Sequence, residues 1–236
     1  MEEYSFDFHL HSCLSPCGSE DMTPSNLAGM CALAGYDIVA LTDHNTVGNC
    51  AAFCQAADRY GLLALPGMEL TCREEVHVVC LFPDLPSAQA LGNLVRQRLP
   101  PLENDPRFFG PQLLMDSEDH LIGEETALLA GAADIGIYEA AELVRGYGGG
   151  AYPAHIDRDS FSVLSNLGLW DPAMGFSLAE QLVKEKYDVT IVDMREDTLR
   201  RAEEHLSHAV DVAKAGGVTL AELPETLNLL YGDETL

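Results

Sequence analysis

The sequence predicts an α/β fold of the barrel type built on a parallel sheet. Three observations carry this. Short apolar runs alternate with helical patterns, as repeated βαβ units require. The 236 residues suit one α/β barrel-type domain or at most two small domains. Histidine and glutamate recur at or inside the strand-like runs, and ligands bind at the C-terminal edge of parallel sheets.

Taken in order, residues 4–10 (YSFDFHL) alternate apolar and polar side chains as a strand does. A loop rich in Ser, Pro and Gly follows over 12–20. Thr23-Pro24-Ser25-Asn26 then opens a helix that runs to Gly35. Residues 37–42 (DIVALT) form a buried strand, 47–60 a helix and 62–65 a third strand, with strand-like runs at 67–72 and 75–82. Residues 83–120, within an inserted segment 83–150, interrupt this rhythm with Pro83, Pro86, Pro100, Pro101, Pro106 and Pro111. They read as an insertion that carries a helix at 87–98 and roofs the mouth, with Phe108 and Phe109 as candidates to stack on a ring. A helix at 137–146 and a strand at 151–155 follow. Residues 176–186 read as a helix, 187–193 as a strand, 196–215 as a long charged helix, and the tail as a short one. With no repeat and no low-complexity linker, one domain is expected over 1–236.

Composition excludes some functions. The net charge of −25 argues against a nucleic-acid duplex as partner, because the polyanion is repelled. No window reaches the roughly 18 apolar residues of a membrane span, so no membrane partner is expected. The N-terminus has neither the basic nor the apolar region of a signal peptide. Seven cysteines, Cys13, Cys17, Cys31, Cys50, Cys54, Cys72 and Cys80, are an odd number in a chain of ordinary size. They point to a reducing cytoplasm rather than a disulfide framework. The four-residue spacings Cys13–Cys17 and Cys50–Cys54 permit a structural zinc pair, but buried thiols account for them as well.

The chemistry begins at Asp7-Phe8-His9-Leu10-His11. On a strand, positions i and i+2 share a face, so His9 and His11 present two imidazoles side by side. Thr42-Asp43-His44-Asn45 ends the next strand, Gly67-Met68-Glu69 follows the third, His77 lies in EVHVVCLF, and His155 follows a strand in AYPAHIDR. Imidazole and carboxylate suit zinc, iron and manganese. One such residue has a bland explanation, but their joint placement on successive units does not. His120 in an acidic stretch, and His205 and His208 on one face of a charged helix, read as solvated surface.

These motifs resemble the PHP (polymerase and histidinol phosphatase) domain family of metal-dependent phosphoesterases. The resemblance rests on FDFHLHS at 6–12, the Pro24 helix, ALTDHNT at 40–46, PGMEL at 66–70, the histidine of EVHVVCLF and PAHIDR at 153–158. It implies a distorted (β/α)7 barrel, TIM-like, with a metal cluster at the mouth. His9 and His11 would hold one metal, Glu69 would bridge two, His77 and His155 would hold the second, and His44 would belong to a third position. Asp193 is the nearest match to the family's late aspartate. Arg195 stands where a histidine is expected, and a guanidinium has no lone pair for a metal. After the H-x-H motif the family supplies a further ligand. Here the chain reads Ser15-Pro16-Cys17-Gly18, leaving the Cys17 thiolate or Asp21 as alternatives. Two divalent ions (zinc, manganese or iron) are therefore expected, with the third position open. The stretch 175–197 also resembles half of a nucleotide-binding fold, but it lacks the G-x-G-x-x-G turn that pyrophosphate needs.

The activity so implied is hydrolysis of a small phosphorylated metabolite, such as a histidinol-phosphate-like ester or a nucleotide-type monoester. Paired cations lower the pKa of water from about 15.7 toward about 7, which yields a hydroxide to attack phosphorus. His44 is a candidate acid for the leaving group. Asp43 is a candidate to orient a histidine or to cap a helix. Arg158 is the best candidate to grip the phosphate, with Arg195 a second. The alternative is a weakly active or non-catalytic, regulatory metal-binding relative, favoured by Arg195 and by the Pro16-Cys17 departure. It is opposed by the cost of clustering polar ligands that hold nothing.

Overall fold

The computed structural model describes residues 4–156, 158–183 and 188–193, with side chains described through residue 180. β1 (Phe6–Leu10), β2 (Ile38–Leu41) and β3 (Leu63–Thr71) pair in parallel. They are joined by α1 (Pro24–Ala34) and α2 (Cys50–Arg59). Pro24 sets the first turn of α1. Gly35 ends it in the left-handed region at φ 84°, where its N–H and that of Tyr36 return to the carbonyls of Ala32 and Cys31. The runs expected at 62–65 and 67–72 merge into the single strand β3.

Next comes β4 (His77–Leu81), which turns back antiparallel to β3. The segment 83–150 then contributes α3 (Leu85–Arg98), α4 (Pro106–Phe109), the hairpin β5 (Leu113–Met115) with β6 (Leu121–Glu124), and α5 (Ile137–Gly146). Asp84 caps α3 by accepting from Ser87 N–H at 2.8 Å. β7 (Gly150–Pro153) adds antiparallel to β4, so it runs in the direction of β1–β3. The sheet order is β1-β2-β3-β4-β7.

This is a mixed α/β fold whose sheet curls into half a barrel. The distorted (β/α)7 barrel expected from the sequence is not what the described residues form. A five-stranded sheet stands with two separate two-stranded hairpins. A second correction concerns residues 176–186. Their described part is not a helix: after α6 (Val163–Leu167) and a 3-10 turn at Pro172–Met174, β8 (Leu178–Val183) pairs antiparallel with β9 (Asp188–Asp193). The LAEQLV stretch has helix-forming residues, but strand pairing overrides that preference. The expected helix at 196–215 and the tail lie outside the described residues.

Two large apolar clusters pack on the sheet. Leu27 and Cys31 of α1 and Phe53 and Ala57 of α2 pack on Val39 and Leu41. Leu91 and Val95 of α3, Val144 of α5 and Ile135 pack around Met68, Leu70 and Val78. Each large side chain so buried contributes roughly 1.5–3 kcal/mol. Gly67 lets β3 come close to its neighbours: a Cβ there would sit 2.7 Å from the Cys80 carbonyl oxygen and 2.9 Å from Thr42 Cγ2. That contact fixes Glu69, two residues on, at the sheet's rim. Register does the rest. Thr71 pairs with His77 and Val78 with Pro153, so the start of β4 and the end of β7 share a rim with the ends of β1 and β2.

Candidate metal centre

Glu69 lies at the centre of that rim, 1% exposed. Its Oε1 has His9 Nε2 at 3.2 Å, His77 Nδ1 at 2.9 Å and His155 Nε2 at 3.2 Å. Its Oε2 has His11 Nε2 at 3.2 Å and His44 Nδ1 at 3.0 Å. Five imidazoles thus converge on one buried carboxylate.

Proton positions follow from the partners behind the rings. Asp43 is fully buried and accepts from Ser12 N–H at 2.7 Å, Ser12 Oγ–H at 2.6 Å and Ser15 Oγ–H at 2.7 Å. Ser15 has then given its proton away, so its oxygen accepts from His44 N–H at 3.0 Å and from His11 Nδ1–H at 3.0 Å. Glu180, also fully buried, accepts from His9 Nδ1–H at 2.9 Å and from His155 N–H at 2.8 Å. In a neutral ring with one nitrogen protonated, the other carries a lone pair. Neutral His9 and His11 therefore both aim Nε2 lone pairs at Glu69, and these two nitrogens are 3.3 Å apart. His77 Nδ1, although 2.9 Å from Glu69 Oε1, lacks hydrogen-bond geometry to any described residue, and His155 Nδ1 has no partner among them either.

Lone pairs facing a carboxylate and one another repel unless a positive charge lies between them. Protons are one remedy. Burial pulls the imidazolium pKa of His9 down, but Glu69 and Glu180 override it and push it well up. His11 is likewise raised against burial, by Cys17 and Glu69, and His44 is raised by the same pair to about 10. Burial alone would raise Glu69, but His9, His11, His155 and His44 hold it well below the usual carboxylate range. His77 goes the other way, lowered by burial. Divalent cations are the other remedy, and the donor set fits them: neutral imidazoles oriented from behind by carboxylate or hydroxyl, grouped about a carboxylate able to bridge. Donor atoms of His9, His11 and Glu69, and those of His44, Glu69 and His77, lie within 4.8 Å of one another.

These residues line a cavity of about 540 Å³, which Pro16, Cys17, Thr71, Ala130, Arg158, Phe161 and Glu180 complete. Phe161, at φ 56°, stacks on the His77 ring with centroids 4.7 Å apart, and its carbonyl accepts from His77 N–H at 3.0 Å. Arg158 lines the cavity without an ion pair to any described residue. Burial would raise the Cys17 thiol, but hydrogen bonds with His11 and His44 bring it down to about 6.

The structure thus brings His9, His11, His44, Glu69, His77, His155 and Arg158 to one cavity. It does not bring Asp43 there. Asp43 caps no helix, since Asn49 precedes α2, and it orients His11 only through Ser15. Asp21 is not among the lining residues, and Ala130 alone lines the cavity from 83–150. Phe108 is 77% exposed and does not reach it, so the expected roof is not what this segment forms. Cys13, Cys50 and Cys54 direct their sulfurs at the carbonyls of Leu113, Gly67 and Ala64, so the cysteine pairs make no zinc site. Asp193 ends β9 opposite Leu178, but its side chain, like all of Arg195, lies outside the described residues. Sequence reasoning missed Glu180, Ser12 and Ser15. A carboxylate inside a strand would have signalled Glu180 had 178–183 been read as one.

No curated protein sequence matches this chain. Among solved structures, the lesion-specific endonuclease PfuEndoQ from Pyrococcus furiosus is similar at TM-score 0.55 and 17% identity, over 86% of this chain and 46% of that one. An endonuclease Q complex with a 27-mer duplex, with an abasic lesion at the active site, gives TM-score 0.52 at 16% identity, over 75% of this chain and 42% of that one. A protein from Bifidobacterium adolescentis described as a metal-dependent phosphoesterase gives 0.47 at 19%, over 65% and 68%. This chain spans less than half the length of the two endonuclease chains. Their likeness corrects one expectation. A net charge of −25 does not exclude a nucleic-acid duplex, because the same fold occurs in a protein solved on one. Carboxylates beyond about 10 Å are screened, so the chain's total charge does not set the field at the mouth. The description of a PHP domain matches residues 7–145, more than half of the 236, and the chain belongs to the PHP domain family.

Proposed function

We propose that this chain is a metal-dependent hydrolase of phosphate esters, with a small phosphorylated molecule as substrate. One observation carries the reading: five imidazoles surround one buried carboxylate, and two of them have committed their protons behind the ring. His9, His11, His77 and His155, with Glu69 shared between them, would hold two divalent cations. When bound, such cations neutralise phosphate oxygens and acidify a water.

The chain's own groups do the remaining work. Glu180 and Ser15 fix the tautomers of His9 and His11, so those rings need not reorganise. Arg158, at the cavity wall without an ion pair to any described residue, is the cation on hand to take two oxygens of a phosphate. Where no cation takes its lone pair, His44 lines the cavity as an imidazolium held by Glu69 and Cys17, placed to pass a proton to the leaving oxygen. Phe161 closes one side with a flat apolar face. A cavity of about 540 Å³ is the size of small-molecule sites. No helix among the described residues is long and apolar enough to cross a membrane. The seven free thiols fit a reducing, cytoplasmic setting.

The test is elemental analysis and turnover together, on protein purified without chelator. Wild type should carry at least two equivalents of metal and hydrolyse an aryl phosphate with added manganese. Glu69→Ala should lose turnover and the metal that the Glu69 cluster holds. The substrates should include a phosphate diester and a duplex with an abasic site. Metal-loaded protein idle on the monoester but active on the duplex would overturn the small-substrate assignment. Protein that stays empty with zinc, iron and manganese would overturn the hydrolase.

A further inference from the structure

We propose that Cys17, together with His11 and His44, forms a cation seat of its own beside the Glu69 cluster, and that its thiolate makes this seat select a soft cation such as zinc over manganese or magnesium. The proposal rests on the reading of the cavity as a cation site and adds a sulfur ligand to it. Donor atoms of these three residues all lie within 4.8 Å of one another.

The position of Cys17 is built rather than incidental. Ser15 N–H donates to the Ser12 carbonyl at 3.1 Å and Gly18 N–H to the Ser15 carbonyl at 2.9 Å, which winds residues 12–18 into consecutive tight turns. Asp43 holds both serines from the end of β2. Gly18 closes the loop so tightly that a Cβ there would lie 2.0 Å from the Ser12 carbonyl oxygen. Any other residue would push the loop, and Cys17 with it, away from the histidines. Cys17 is the exposed cysteine at the cavity wall, while Cys13, Cys31, Cys50, Cys72 and Cys80 are buried.

The chemistry follows from the donors. A thiolate and two imidazoles form a three-ligand set of the kind that leaves zinc an open position. Manganese and magnesium favour oxygen, so sulfur tilts this seat away from them. His11 keeps one lone pair, on Nε2, because Nδ1–H is given to Ser15. It can serve this seat or the Glu69 cluster, but not both. Filling the Cys17 seat therefore leaves His9, His77, His155 and Glu69 to hold the other cations.

The experiment is cobalt(II) titration of the full chain after metal removal. Wild type should develop a near-ultraviolet sulfur-to-cobalt charge-transfer band that saturates at a single equivalent. Cys17→Ser and Cys17→Ala should lack that band yet keep the visible absorption of histidine-bound cobalt. Excess zinc should erase the band and excess manganese should leave it. A wild type with visible cobalt absorption but no sulfur band overturns the proposal and leaves the hydrolase reading standing. So does a band that survives in Cys17→Ser, or one that manganese removes. A wild type that takes up no cobalt overturns both.

Discussion

The two halves of the sheet reach the same rim by opposite routes. In the parallel half, β1 and β2 bring His9, His11 and His44 in at strand C-terminal ends, with helices behind them. In the antiparallel half, β4 delivers His77 from its first residue, and His155 follows β7. The parallel half is braced by polar groups: Asp43, Ser12 and Ser15 stand behind His11, and Glu180 behind His9. The antiparallel half is braced by an aromatic face and strained backbone, with Phe161 stacked on His77 and positive φ at both Phe161 and His155. One half fixes its ligands by hydrogen bonds, which set tautomers. The other fixes them by packing and by backbone hydrogen bonds to Glu180 and the Phe161 carbonyl, which set ring position and leave His77 Nδ1 and His155 Nδ1 without hydrogen-bond partners among the described residues. Glu69 is where the two meet.

Four substitutions separate the halves. Glu69→Gln strikes both at once. It should remove the metal held by the Glu69 cluster, leaving at most the single equivalent at Cys17 by elemental analysis, while the protein stays folded by circular dichroism. Asn45→Ala strikes the seam. Asn45, at φ 54°, donates to the carbonyls of Leu129 and Gly131 at 2.8 and 2.9 Å and accepts from Thr71 N–H at 2.8 Å. Losing these buried bonds should cost about 3 kcal/mol in urea unfolding. Glu180→Gln acts on the bracing of His9 and should weaken metal binding by about 10–100-fold in a chelator competition. Phe161→Gly tests the antiparallel bracing and should be the mildest. The lost stack and the relieved positive φ offset each other, leaving unfolding within about 1 kcal/mol of wild type.

Much of the parallel half was legible in the sequence. The i, i+2 spacing of His9 and His11 and the strand-end position of His44 follow from β geometry alone, and Glu69 from its place after an apolar run. His77 was visible only as a histidine inside a strand, because nothing local says that β4 reverses and brings its start to the mouth. Glu180 was hidden by LAEQLV, whose helix-favouring residues mask a strand that only its pairing with 188–193 reveals. Ser12 and Ser15 carry no spacing signal. Their role depends on Asp43, thirty-one and twenty-eight residues away, meeting them across the sheet.

The arrangement of the thiols makes the chain its own reporter. Cys17 stands exposed at the mouth, Cys54 is half-buried, and the other five are inside. A bulky alkylating reagent should therefore tag Cys17 first, adding a single mass increment to the folded protein. Whatever sits in the cavity shields that sulfur and slows the tagging. The rate of one chemical modification, followed by mass spectrometry, then measures occupancy for ligands that have no colour and give no turnover.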